Sequence, residues 1–198
     1  MGVLIGPNTL YYVIVRPKGK LREDFDFSDE KVRKPALLRP EMGERGTGDM
    51  ATTVIAITNQ KGGVGKTTTA AALLTGLHRR GAAVLGVDMD PQGSLGFSLG
   101  LDIEHCTTIY DVFRGQAEPE QAIVRTDTCD ILPSNILLSG AELEFNRPGR
   151  EFLLKTALSK VEDQYDYIII DTPPALSLLT VNAYVATDSL IIPMSPEI

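Results

Sequence analysis

The sequence has little of what marks secreted, disulfide-rich or membrane-spanning proteins. Its 198 residues include two cysteines, Cys106 and Cys129, which are too few for a disulfide scaffold and favour a reducing compartment. No uninterrupted apolar run reaches the length of about 18 residues that a transmembrane helix needs. The apolar stretch from Val3 to Val15 lacks the basic leader and small-residue cleavage site of a signal peptide. These absences predict a cytoplasmic protein with no membrane partner.

The composition also lacks an excess of positive charge. The chain has 19 Lys and Arg against 26 Asp and Glu, a formal net charge of −7. Residues 1–49 contain 9 of these bases and 8 of these acids, so the acidic excess belongs to the remainder of the chain. Because nucleic-acid binding usually needs a basic face, the average composition argues against it.

The first 49 residues differ in character from the rest. Leu10–Val15 predicts one strand, whereas Lys18–Glu44 is rich in charge and carries Pro35 and Pro40. Such a stretch buries little apolar surface and is typical of a linker. We therefore expect a poorly ordered leader over residues 1–49 and one partial domain over residues 50–198.

Short apolar runs alternate with helical segments from residue 53 onward. The runs predict strands at Val54–Thr58, Ala83–Val87, Ile131–Leu132, Tyr167–Ile170 and Ser189–Pro193. Helices are predicted at Lys66–Arg80, closed by Gly81, at Thr108–Arg114 and at Arg150–Lys160. Continuously apolar strands separated by helices predict an α/β fold with a mostly parallel sheet and helices on both faces. Ligands bind such sheets beyond the carboxyl ends of the strands.

A glycine-rich loop follows the first of these strands and opens the first helix. Its residues are Lys61-Gly62-Gly63-Val64-Gly65-Lys66-Thr67-Thr68. Glycines let the backbone wrap an anion so that N–H groups from Gly63 to Thr67 point inward, and the helix adds its positive end. In this pattern Lys66 reaches the β- and γ-phosphates and Thr67 ligates Mg²⁺. The sequence predicts a P-loop for the phosphates of a nucleotide, with a glycine-rich turn that binds nothing as the alternative.

The loop departs from the strict pattern, since Gln60 stands where glycine is required and Lys61 adds a second lysine. Acidic residues after two other strands support the nucleotide interpretation. Asp171 ends an apolar strand, where a carboxylate can hold Mg²⁺ through water. Asp88 and Asp90 follow the second strand, and Asp88 is either a further magnesium ligand or a turn former.

Three ordered motifs resemble the ParA/Soj family of partition ATPases, within the MinD-like group of deviant Walker A proteins. They are Asn59-Gln60-Lys61-Gly62-Gly63-Val64-Gly65-Lys66-Thr67-Thr68-Thr69, Asp88-Met89-Asp90-Pro91-Gln92-Gly93-Ser94 and Tyr165-Asp166-Tyr167-Ile168-Ile169-Ile170-Asp171-Thr172-Pro173-Pro174. The resemblance spans Met50 to Ile198 and implies a P-loop NTPase-like fold that lacks its C-terminal part.

The resemblance also implies a mechanism. ATP with Mg²⁺ closes a sandwich homodimer, and Lys61 is the signature lysine that crosses to the partner's phosphates. Lys66 and Asp90 complete the catalytic set, with Asp90 orienting the attacking water. A ParB-like partner stimulates hydrolysis, and the ATP dimer of the family binds DNA without sequence preference. The family's DNA-binding residues lie beyond Ile198, so the resemblance leaves DNA binding and turnover of this chain open.

Two other functions stay open at this point. One is a MinD-like positioning ATPase with a different cargo, although Asp90-Pro91-Gln92-Gly93 favours the partition branch. The other is a catalytically silent nucleotide-binding or interaction module. Iron–sulfur relatives of the same fold need cysteine ligand motifs, which Cys106 and Cys129 do not form.

Overall fold

Strands and helices alternate along the chain, as the apolar periodicity predicts. The computed structural model describes residues 2–5, 11–15 and 51–194. The strands are β1 (Gly2–Ile5), β2 (Tyr11–Val15), β3 (Thr53–Ile57), β4 (Val84–Asp88), β5 (Val124–Arg125), β6 (Asp130–Leu132), β7 (Tyr167–Asp171) and β8 (Ser189–Met194). The α-helices are α1 (Lys66–His78), α2 (Ser94–Ser98), α3 (Ile109–Phe113), α4 (Pro119–Ala122), α5 (Ala141–Glu144), α6 (Leu153–Leu158) and α7 (Leu178–Ala186).

All these strands form one sheet with the order β1-β2-β8-β3-β7-β4-β6-β5. The five central strands, β8, β3, β7, β4 and β6, are parallel to one another. Pairing is antiparallel at both sides of the sheet. On one side β5 pairs with β6, and on the other β8 pairs with β2 and β2 pairs with β1. The predicted mostly parallel α/β architecture is therefore confirmed, with antiparallel borders that the apolar pattern did not indicate.

Helices cover both faces of the sheet. On one face Leu74 of α1 belongs to the same buried cluster as Ile57 and Ile169. On the other face Leu154 of α6 shares a cluster with Ile168, as do buried residues of α3 and α7. Each buried aliphatic side chain contributes about 1.5–3 kcal/mol relative to exposure. Because both faces are covered, β3, β4 and β7 are buried at nearly every position rather than at alternate ones.

The register of the parallel strands brings the acidic residues and the glycine loop to one edge. Ile57, the last residue of β3, pairs with Asp171 of β7, and Asp171 pairs with Asp88 of β4. The carboxyl ends of three neighbouring strands therefore lie side by side. This is the edge at which open α/β sheets bind their ligands.

The N-terminal residues contribute two strands. The predicted strand at 10–15 is present as β2, which pairs with β8 from Val15↔Leu190 to Tyr11↔Met194, and β1 pairs with β2 in turn. The predicted linker at 18–44 lies outside the described residues. The division of the chain at residue 49 therefore stays a prediction.

Two predicted helices differ from those observed. Helix α1 ends at His78 rather than Arg80, although Gly81 closes it with a φ of 84°. The segment predicted as one helix from Arg150 begins as a 3₁₀ turn and becomes α-helical only at Leu153. No helix among residues 51–194 is both long enough and apolar enough to span a bilayer.

Candidate functional site

The loop between β3 and α1 has the backbone of an anion cradle. Gly63 and Gly65 have φ values of 71° and 84°, in the left-handed region where a side chain is strained. Val64 between them is 4% exposed and anchors the loop to the protein. Helix α1 has no acidic residue in its first turn, so no internal carboxylate neutralises its positive end. The loop and helix together present a positive, glycine-lined surface.

The lysine of the helix points back into this loop. Lys66 is only 7% exposed, and its Nζ donates to the carbonyl oxygen of Lys61 at 3.3 Å. An ammonium group buried this deeply needs acceptors around it, because desolvation of an unpaired charge is costly. The Lys61 carbonyl is the acceptor present, and phosphate oxygens would be stronger ones.

Asp171 has one satisfied and one unsatisfied carboxylate oxygen. Its Oδ2 accepts a hydrogen bond from Thr67 Oγ1 at 2.6 Å. Its Oδ1 is fully buried and, among the groups that the structure describes, accepts no hydrogen bond. Burial raises the pKa of Asp171 to about 7; the charges of Asp88 and Asp90 add to this shift, while Thr67 and Lys66 oppose it. A buried anionic oxygen without a donor fits a bound cation, and Thr67 supplies a hydroxyl beside it.

Asp88 differs from Asp171, although the two residues are paired in the sheet. Both of its oxygens accept backbone N–H groups: Oδ1 from Asp90 at 3.0 Å, and Oδ2 from Leu95 and Gly96 at 2.9 and 3.4 Å. Burial raises its pKa to about 6, against the lowering effect of these hydrogen bonds. In this arrangement the carboxylate holds the turn that leads into α2.

Asp90 lies on that turn and is half-buried. Its Oδ1 accepts from the backbone N–H of Gln92 at 3.0 Å, and its carbonyl accepts from the Ser134 hydroxyl and from the Gly93 N–H. Gly93 has a φ of 66°, and a Cβ there would lie 2.3 Å from Ile103 Cδ1. The segment after β4 is thus fixed by hydrogen bonds to Asp88 and from Ser134, and Ile103 packs closely against Gly93.

The structure brings together most of the residues that the sequence singled out. Thr67 contacts Asp171, Lys66 contacts Lys61, and the charges of Asp88 and Asp90 act on Asp171. Sequence reasoning gave no role to Asn59 or Ser134. Asn59 accepts the N–H of Lys61 at the start of the loop, and Ser134 donates to the carbonyl of Asp90 on the turn after β4. Asparagine two residues before Lys61 is the pattern of an Asx turn, and this signal could have found Asn59.

The remaining cysteine and histidine side chains form other contacts. His105 Nδ1 lies 3.0 Å from Asp102 Oδ2, and Cys106 Sγ donates to the Asp102 carbonyl at 3.1 Å. Cys129 is buried, and burial raises the pKa of its thiol to about 11. Within the described ranges, no three His, Cys, Asp or Glu side chains are grouped as metal ligands.

Three features define the class of protein. A parallel strand leads into a glycine loop, a lysine points inward from that loop, and the neighbouring strand ends in an aspartate. This class is the P-loop NTPase-like α/β proteins, of the deviant Walker A type. Comparison with known proteins narrows the class. A family model described as an AAA domain matches residues 52–198.

Two curated relatives match most of this chain. The sporulation initiation inhibitor protein Soj of Bacillus subtilis is 48% identical over 150 residues, which are 73% of this chain and 58% of Soj. The chromosome partitioning protein ParA of Myxococcus xanthus is 44% identical over 159 residues, 78% of this chain and 56% of that protein. The chain belongs to the ParA/Soj family of partition ATPases, and it spans somewhat more than half the length of these two relatives.

A solved structure shows the same fold. A Mycobacterium smegmatis protein, described as cobyrinic acid a,c-diamide synthase with bound ATP analogue and magnesium, superposes with a TM-score of 0.67 at 48% identity. The match covers 69% of this chain and 55% of that one. The fold is therefore shared with a relative that holds a nucleotide and a magnesium ion.

The positive φ of Gly63 gives a test of the loop geometry. A Cβ at Gly62 or at Gly63 meets no atom within 4 Å, and Gly63 alone of the two has a positive φ. We expect Gly63→Ala to lower the free energy of unfolding of the nucleotide-free protein by about 1–2 kcal/mol. Chemical denaturation measures the change.

Gly62→Ala is the matched control, because it adds the same methyl group where the backbone is unstrained. We expect it to change the free energy of unfolding by no more than about 1 kcal/mol. Any stabilisation would come from the lower conformational entropy that alanine gives the unfolded chain. Equal unfolding free energies for the two variants would contradict the left-handed conformation of Gly63.

Proposed function

We propose that this chain binds magnesium-ATP, closes with a second copy as a nucleotide-sandwich dimer, and hydrolyses ATP to segregate or position DNA or another cargo. The observation that carries the proposal is Asp171, with one oxygen on Thr67 and the other buried without a donor, directly beside the glycine loop. Membership of the ParA/Soj family supports the use of this site for ATP.

Thr67 and Asp171 are the residues that would hold magnesium, Asp171 through water. The bound ion would neutralise charge on the phosphate oxygens. The remaining ligands would be water and phosphate, which agrees with the small number of carboxylates at the site. Because its oxygens hold Asp90, Leu95 and Gly96, we assign Asp88 to positioning the turn rather than to ligating the metal.

The nucleotide phosphates would be bound by the loop and the start of α1. The contacting residues would be Gly62, Gly63, Val64, Gly65, Lys66, Thr67 and Thr68. Lys66 would give up its hydrogen bond to the Lys61 carbonyl and bind the β- and γ-phosphates instead. A bond from an ammonium to an anionic phosphate oxygen is stronger than one to a neutral carbonyl. The positive end of α1 favours the same anion.

Lys61 and Asp90 have the roles that depend on a second copy and on water. Lys61 is exposed at the start of the loop, where its side chain can cross to the phosphates of a partner subunit. Asp90, held by Gln92 and Ser134, would orient the attacking water. Linking one catalytic lysine to the partner makes hydrolysis depend on dimerisation.

The segments after Asp90 and after Asp171 would act as switches that sense the γ-phosphate. The first is tied to the site by Asp88, and the second by Thr172, whose hydroxyl donates to the Ile57 carbonyl at 2.8 Å. A ParB-like protein is the proposed stimulating partner, and non-specific DNA the proposed surface. The proposed location is the cytoplasm, on the nucleoid where DNA is bound.

Steady-state ATP turnover tests the proposed activity. We expect slow magnesium-dependent phosphate release from the chain alone, and faster release when DNA and a ParB-type partner are added together. Colorimetric phosphate release measures both rates. If magnesium-ATP binds but no turnover is measured under any of these conditions, the proposed ATPase activity is contradicted. The chain would then be a catalytically silent nucleotide-binding module.

The role of Lys61 predicts a separation of binding from dimerisation. We expect Lys61→Ala to abolish ATP-dependent dimerisation while nucleotide affinity stays within about threefold, because the lysine contacts the partner's nucleotide rather than its own. Light scattering and titration calorimetry measure the two quantities.

Two further variants control this experiment. Lys66→Ala should lose nucleotide binding itself, whereas Lys155→Ala removes an exposed charge from α6 and should change neither quantity. Undiminished dimerisation of the Lys61 variant would refute its contact with the partner.

A further inference from the structure

The phosphate loop leaves the sheet at a defined point beside β8. Strand β3 pairs with β8 as far as Ile57↔Ile191. The following residue continues the ladder by one bond, from the Thr58 N–H to the Ile191 carbonyl at 2.9 Å. In a parallel ladder the next donor is the backbone N–H two residues further along, which here would be Gln60 bonding to Pro193. At that position the chain has already turned into the loop.

The side chain of Asn59 takes the place of the missing backbone donor. Its Nδ2 donates to the Pro193 carbonyl at 2.7 Å. Its Oδ1 accepts the N–H of Lys61 at 2.9 Å, which closes an Asx turn. One half-buried amide thus completes the ladder to β8 and fixes the first residue of the loop.

The same line of hydrogen bonds continues into the site. The Lys61 carbonyl accepts from Lys66 Nζ at 3.3 Å, so both amide groups that flank Lys61 in the chain are involved. Pro193, at the other end, pairs with Tyr12 of β2. The backbone of Lys61 is therefore tied, through Asn59, to β8 on one side and to the loop lysine on the other.

We propose that Asn59 is a positioning residue that sets the backbone of Lys61, and through it the direction in which the Lys61 side chain leaves the loop. The importance of that direction rests on the proposed function, in which Lys61 reaches the nucleotide of a second copy. Asn59 itself touches no phosphate. Its effect belongs to dimerisation rather than to nucleotide affinity.

The chemistry of the site requires a side chain with both a donor and an acceptor. Asparagine has both at the length of one methylene group. Aspartate keeps the acceptor for the Lys61 N–H but turns an anionic oxygen toward the Pro193 carbonyl, so it removes one of the two bonds selectively. This makes Asn59→Asp the informative substitution.

The matched control is Asn135→Asp. Asn135 also accepts a backbone N–H two residues on, from Leu137 at 3.1 Å, and it precedes a 3₁₀ turn away from the loop. Both substitutions place an aspartate in an Asx turn. Only the change at Asn59 removes a hydrogen bond to β8.

Hydrogen–deuterium exchange of the nucleotide-free protein tests the positioning itself. We expect exchange over residues 59–66 to rise about tenfold in Asn59→Asp, the effect of losing one well-formed, part-buried hydrogen bond, and to stay unchanged in Asn135→Asp. Unchanged loop exchange in Asn59→Asp would overturn the proposal, whether or not the chain dimerises.

ATP-dependent dimerisation tests the consequence. We expect Asn59→Asp to weaken dimerisation about tenfold while magnesium-ATP affinity stays within about threefold. Equal losses of affinity and dimerisation would show a general disturbance of the loop and overturn the role through Lys61. If the wild-type chain itself fails to dimerise with ATP, the proposed function fails, and the exchange experiment still decides whether Asn59 positions the loop.

Discussion

The hydrogen bond from Thr67 to Asp171 is the interaction on which the rest of the site depends. It joins the first turn of α1 to the end of β7, and so connects the glycine loop with the neighbouring strand. Burial raises the pKa of Asp171 to about 7, because one hydroxyl does not replace the water that a carboxylate loses. Its second oxygen accepts no hydrogen bond among the described residues, and a cation beside a phosphate would favour the ionised form. The same carboxylate ends a central strand and lies beside the loop proposed to bind the nucleotide.

The neighbouring carboxylate shows the other way of satisfying a buried charge. Asp88 receives three backbone N–H groups and organises the turn into α2, whereas Asp171 receives one hydroxyl. Two aspartates at adjacent strand ends thus take different roles, because backbone N–H groups at the start of α2 reach Asp88, whereas the start of α1 offers Asp171 a hydroxyl. The result is one carboxylate that holds the turn into α2 and one that keeps an oxygen without a hydrogen-bond donor among the described residues.

The central strands, the glycine loop and the acidic strand ends were predictable from local patterns. Buried parallel strands are continuous apolar runs, and Ile57, Asp88 and Asp171 end such runs at the same edge. The antiparallel borders were not predictable, because β5 is two residues long and β2 depends on a partner about 180 residues away. The role of Asp88 depends on where α2 begins. The two-sided contact of Asn59 depends on Pro193, which only the folded sheet brings near. Local sequence indicates which groups are polar at the site, and tertiary contacts decide which of them remain available.

The central claim is that the loop and Asp171 together form a magnesium-nucleotide site. Titration calorimetry of the wild-type chain with ATP, in magnesium and then in excess EDTA, tests it most directly. We expect saturable binding of one nucleotide per chain in magnesium and weaker binding in EDTA. No saturable binding in magnesium, or the same affinity with and without the metal, would contradict it.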